Sequence, residues 1–214
     1  MKTLPHGIIR TARLDEIMIR DHENQWLGMV KDVVLAMPSG RIQFLSLDRA
    51  DQPDSNQELV LSWDQLNYDP DSGNFKSLSE REQAGELAQE LEEQAGTGLI
   101  RGRDLSGRQV RAADGEVFGE LREVILDVER GEAIYALLAD TSGKHYPLPW
   151  AVLSYDEDKR IFHLQAQHHQ LRSAPHFGKG GEPQAPFDWS ERVWAERVHE
   201  HYGVQPFWTV SRPK

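Results

Sequence analysis

Gly7-Ile8-Ile9-Arg10 returns later in the chain as Gly98-Leu99-Ile100-Arg101. The same step of 91 residues carries Leu14 to Leu105, Arg20 to Arg111, Gly28 to Gly119 and Gly40 to Gly131. Val33, Val34 and Leu35 fall on Val124, Ile125 and Leu126, and Phe44 falls on Tyr135. The step then shortens to 87, because the first copy spends four extra residues in the polar stretch around Asp51 to Gln57. Trp63, Leu66, Tyr68, Asp69 and Phe75 thereby meet Trp150, Leu153, Tyr155, Asp156 and Phe162. A repeat of this length restricts the chain to two like units in tandem.

Each unit reads as β structure. In the second, two runs rich in Val, Ile, Leu and Tyr flank Glu129-Arg130-Gly131-Glu132, and in the first the matching runs flank Pro38-Ser39-Gly40. Gly-containing breaks between such runs are hairpin chemistry. Shorter runs precede them (Glu16 to Asp21, Arg108 to Ala112) and follow them (Gln57 to Trp63, Lys144 to Trp150), and a last strand is expected at Asn74 to Leu78 and Arg160 to Gln165. About six short strands per unit, separated by turns, favour a small closed barrel or sandwich, since closure removes free edges. The expected fold is mainly β: two tandem small β-barrels, with a first unit over 1–78, a linker helix over 79–96, a second unit over 97–177 and a C-terminal loop, aromatic-rich helix and tail over 178–214. Trp63 and Trp150, each followed by an aromatic five residues on, are expected to cap one end of each barrel as core groups rather than as ligand contacts.

Helical signals are confined to the connections. Ser79 with Glu82 makes a capping box, Gly96 a stop, and Ala84, Leu87, Ala88, Leu91 and Ala95 form a narrow apolar stripe. Asp188 with Glu191 opens a second helix that ends at Gly203 and presents Val193, Trp194, Val198 and Tyr202 on one face. With Phe187, Trp189, Phe207 and Trp208 nearby, the last thirty positions hold about a third of the aromatic residues. Such density calls for burial, either against a barrel or in an oligomer interface. Trp189, Trp194, Val198, Tyr202, Phe207 and Trp208 are therefore the candidate partner-binding residues.

Charge and composition narrow the functional classes. A formal charge of -11 and pI near 5.3 oppose loose binding to nucleic acid. The absence of cysteine excludes disulfides, thiolate nucleophiles and Cys-based metal sites. No signal-peptide core or membrane-length apolar run occurs, so the expected location is cytoplasmic. Nine histidines raise the possibility of a metal, but His199 and His201 stand two apart on a helix and point in different directions. No phosphate loop, nucleophile elbow or HExxH motif is present, and most carboxylates sit in turns or on helix faces. No cofactor, metal or catalytic residue is assigned.

The stretch Gly115 to Leu138, followed by Tyr146 to Leu164, closely resembles the PRC-barrel domain, the family named for a cytoplasmic domain of the bacterial photosynthetic reaction centre. The resemblance is strong from Leu99 to about Phe177 and weaker, in the same order, in the first copy. It implies small barrels that act as protein-interaction modules without enzymatic activity. The reaction-centre protein carries an N-terminal membrane helix ahead of its barrel, and no such helix is read here. The resulting expectation is a non-catalytic soluble adaptor or scaffold whose partner is protein, above all another copy of itself, with neither nucleic acid nor a membrane span involved. The alternatives are a sensor holding a small ligand or metal in the cleft between barrels, and an accessory protein like the barrel-bearing component of the photosynthetic reaction centre.

Overall fold

The computed structural model describes residues 7–49, 58–78, 98–176 and 192–209. The expected linker helix over 79–96 lies outside these residues, as do Phe187, Asp188 and Trp189. The described chain is mainly β. Its first half contains β1 (Ile8–Arg10), β2 (Met18–Arg20), β3 (Trp26–Ala36), β4 (Arg41–Arg49), β5 (Glu58–Ser62), β6 (Leu66–Asp69) and β7 (Asn74–Ser77). The second half repeats the series as β8 (Leu99–Arg101), β9 (Gln109–Arg111), β10 (Val117–Asp127), β11 (Glu132–Asp140), β12 (His145–Pro149), β13 (Leu153–Asp156) and β14 (Ile161–Leu164). Three α-helices complete it: α1 (Gly102–Leu105), α2 (His168–Arg172) and α3 (Arg192–Tyr202).

The long hairpins form where the sequence places them. β3 pairs with β4 and β10 with β11, both antiparallel, and each long strand also pairs with the short one before it. The last strand of each half returns to run parallel to that short strand, β7 beside β2 and β14 beside β9. Gly40 and Gly131 close the two hairpins with φ of 74° and 71°, a left-handed conformation that costs glycine little. Neither half closes into a barrel. All fourteen strands belong to one open mixed sheet, in which β13 and β6 stand at the two ends of the main strand path. The expectation of two closed barrels is corrected on this point.

The physical reason is an exchange of strands. β1 does not join its own half: Ile8, Ile9 and Arg10 pair with Asp127, Leu126 and Ile125 of β10. β8 returns the exchange, with Leu99, Ile100 and Arg101 facing Ala36, Leu35 and Val34 of β3. The hairpin ends meet through Glu132 and Arg41, where the Ile42 amide donates to the Gly131 carbonyl and the Ala133 amide to the Gly40 carbonyl, both at 2.8 Å. Edges that a barrel would satisfy by closing on itself are thus partly satisfied by the other half. One apolar core follows, running from Leu35, Ile42 and Leu61 to Val124, Leu126, Tyr146 and Phe162.

Candidate interaction surface

The seam between the halves is built from reciprocal contacts. Trp150 is 5% exposed and its indole Nε1 donates to the Pro38 carbonyl at 3.0 Å, beside the first hairpin. A Cβ on Gly40 would collide with the Trp150 ring, and one on Gly131 would collide with Trp63. Each tryptophan therefore reaches the other half's hairpin. Within its own half each lies near equivalent aromatic groups: Trp63 and Tyr68 stand 5.5 and 5.2 Å from Phe75, Trp150 and Tyr155 6.0 and 4.8 Å from Phe162. Trp150 is a core group, as the spacing predicts, and Trp63 packs half-buried against the same core; both cap a shared seam rather than separate barrels.

Ion pairs hold the exchanged strands. Arg10 grips the buried Glu123 carboxylate with both Nε (2.9 Å) and Nη2 (2.6 Å). The counterpart Arg101 donates to Glu58 at 2.7 Å, in a wider network containing Lys31, Asp48, Arg103 and Asp32. Burial alone would raise the Glu58 pKa, but Arg101, Arg103 and Lys31 outweigh it and hold the carboxyl below its ordinary value. Asp32 goes the other way: burial raises its pKa despite the Val33 and Arg103 amides that donate to Oδ1. These charges serve the seam.

Beside the exchanged β8 lies a cleft of about 500 Å³, open between the halves. Val34 and Met37 contribute from the first half, and Leu99, Arg101, Arg108, Tyr155, Glu157 and Arg160 from the second. The size falls within the usual range of ligand sites, roughly 300 to 1,000 Å³. Among the described residues its lining contains no histidine.

The C-terminal helix packs on the second half. Val198 is fully buried among Ile8, Ile125, Ile134, Tyr135 and Leu137, with Trp194, Tyr202 and Phe207 partly buried against that cluster. Trp194 and Phe207 meet the Tyr135 ring edge-on at 5.7 and 5.9 Å, and Trp208 lies 4.8 Å from Phe207 and 5.4 Å from His199. The buried His199 Nε2 is 3.0 Å from the Tyr135 hydroxyl. Burial lowers the His199 pKa to about 4, against a smaller opposing effect of the Gln205 backbone, and raises those of Tyr135 and Tyr202. Five of the six sequence-selected residues thus converge on one aromatic group, while Trp189 lies outside the described residues. Trp194, Tyr202, Phe207 and Trp208 keep part of their surface exposed; Val198 keeps none.

The histidines scatter. His199 faces Tyr135, whereas Nε2 of His201 lies 3.1 Å from the Gln170 carbonyl, as divergent positions on a helix require. His168 stacks edge-on against Phe118 and His176 lies over Tyr146, whose pKa burial raises to about 12. Among the described residues no group of three or more histidine or carboxylate side chains is placed to hold a metal ion. The strand exchange escapes sequence reasoning, although its signal is present: the Gly-Ile-Ile-Arg and Gly-Leu-Ile-Arg segments that mark the repeat are the exchanged strands.

A comparison with curated proteins returns no match. Residues 98–170, from the exchanged β8 to the first turn of α2, match the family model of the PRC-barrel domain.

Proposed function

We propose that the chain is a non-catalytic adaptor in which two PRC-type units, fused in tandem, present a rigid surface to protein partners in the cytoplasm. The observation that carries this reading is the PRC-barrel match over residues 98–170, in a half whose strand order and registers recur in the first half. The first half is, on this reading, a diverged second copy. The carboxylates and histidines described above fit a structural role, being engaged in seam ion pairs, turns and helix packing. Among the described residues no helix is long and apolar enough to cross a membrane. Trp194, Phe207 and Trp208 supply the partly exposed aromatic surface that interfaces favour. Self-association is part of the proposal.

Cross-linking with mass spectrometry in native cells tests it. Wild type should yield protein cross-links centred on the C-terminal aromatic group, and Trp208→Ala should lose them while its unfolding midpoint changes little. An identical cross-link map for the variant would refute this assignment. A second reading, a small-ligand site, is favoured only by the cleft of about 500 Å³ between the halves. A metabolite that raises the melting temperature of wild type but not of Tyr155→Ala would support it.

A further inference from the structure

The exchanged strands are nearly interchangeable. β1 offers Ile8-Ile9-Arg10 to β10, and β8 carries Leu99-Ile100-Arg101 in the same order. On either edge the two apolar residues and the arginine occupy the same register, and an acidic group receives the arginine: Glu123 for Arg10, Glu58 for Arg101. The hairpin contact is equally transferable. Gly131 accepts an indole, presently from Trp63, and the second half owns the equivalent Trp150. The second half therefore carries a donor strand, an acceptor edge, a bare hairpin glycine and a tryptophan to lie on it.

We propose that the second half is self-complementary, so that the partner its seam fits in trans is the second half of another copy of this chain. In such a pair β8 of each copy would lie on β10 of the other, with Leu99 opposite Asp127, Ile100 opposite Leu126 and Arg101 reaching Glu123. The first halves would pair alike, giving a closed two-fold dimer. This names the interface for the self-association proposed above and rests on that reading. Covalent linkage of the halves favours the internal arrangement, because it gives each half an effective concentration of its mate on the order of millimolar. Exchange between chains therefore requires unfolding and refolding at comparable protein concentration.

The absence of cysteine from the chain makes the test specific. In the full-length double variant Leu99→Cys, Asp127→Cys, the two positions are not partners within one chain, since Leu99 faces Ala36 and Asp127 faces Ile8. Refolding from denaturant at about 1 μM and then about 1 mM, followed by mild oxidation, should raise the disulfide-linked dimer at least about tenfold across that span. The companion Ile8→Cys, Asp127→Cys shares the Asp127 substitution and should link within one chain at about 1 μM, and less at about 1 mM as β8 of a second copy takes the place of β1 on β10. If the companion links and Leu99→Cys, Asp127→Cys yields no linked dimer at either concentration, self-complementarity is refuted while the adaptor reading stands. If the companion itself fails to link, the exchanged fold on which the proposal rests is refuted. Linked dimer with lost cross-links to cellular partners would uphold the pairing and refute the adaptor reading.

Discussion

The two halves share strand order and register yet differ in how their outer faces are finished. On the second half Ile8, Ile125, Ile134, Tyr135 and Leu137 form a broad apolar face, and α3 seals it with Val198. The positions equivalent to these on the first half are Leu99, Val34, Gln43, Phe44 and Ser46. Two of five are polar, and the cluster there shrinks to Val34 and Val60 with Phe44 and Leu99 packed alongside. A smaller apolar face gains less from a covering helix, at about 25 cal/mol per Å² of apolar surface removed from water. Among the described residues, the Lys31, Asp48, Glu58, Arg101 and Arg103 network borders that side, whereas on the second half Arg10 of the received strand is held by the buried Glu123. Among the described residues, one backbone plan thus supports an apolar face packed by α3 and a face bordered by charge.

The sharpest way to break this comparison is to truncate the equivalent tryptophans. Trp150 is buried and hydrogen-bonded, while Trp63 is half-buried. Trp150→Ala should cost about 3 to 5 kcal/mol, the range for large core truncations, and Trp63→Ala about half as much. Denaturant unfolding measures both; equal losses would erase the asymmetry.

Next comes pH, which acts on the sealed face through His199. His199 titrates near 4 when folded and near 6.5 when unfolded, so between these values the unfolded chain binds the extra proton. Its contribution to stability is complete above about pH 6.5, falls as the pH drops toward 4, and is lost below that. The full span is at most about 3 kcal/mol. His199→Gln should flatten the stability curve in this window relative to wild type. Parallel curves would mean that the imidazole is not held neutral under α3.

The smallest difference expected is between the strand clamps. Glu123→Ala strands an arginine at a 6%-exposed acceptor site and should cost about 2 kcal/mol, between the values for surface pairs and fully buried ones. Glu58→Ala, at 16% exposure within a network of several charges, should cost about 1 kcal/mol. A larger loss at Glu58 would reverse the assignment of the charged network to the more solvated side.

Much of this is legible in the sequence. The long Val/Ile-rich hairpins, the glycine turns and the buried Trp150 follow from alternation, turn chemistry and the repeat. The C-terminal helix signal agrees with Arg192–Tyr202 and with Gly203 at φ 67°. β1 and β8 are too short, at three residues each, to show a period. β6 and β13 resemble turns in sequence because Leu-Asn-Tyr-Asp and Leu-Ser-Tyr-Asp carry few β-branched residues. The repeat marks both exchanged strands but not their destination: Ile-Ile-Arg and Leu-Ile-Arg satisfy either edge equally well, so side-chain pattern does not determine which half receives which strand. The same ambiguity explains why closed barrels are the natural expectation. For the candidate site, aromatic density marks the segment that packs on Tyr135, but not that Val198 is spent inside the chain.

The most direct test of the exchanged seam is disulfide trapping in the cysteine-free chain. Ile8→Cys with Asp127→Cys should oxidise to an intrachain bond in dilute, natively folded protein, because these positions face each other across β1 and β10. Ile8→Cys with Ala36→Cys, the pairing that would arise if the first half kept its own strand, should stay reduced. Linkage of the second pair and not the first would contradict the account.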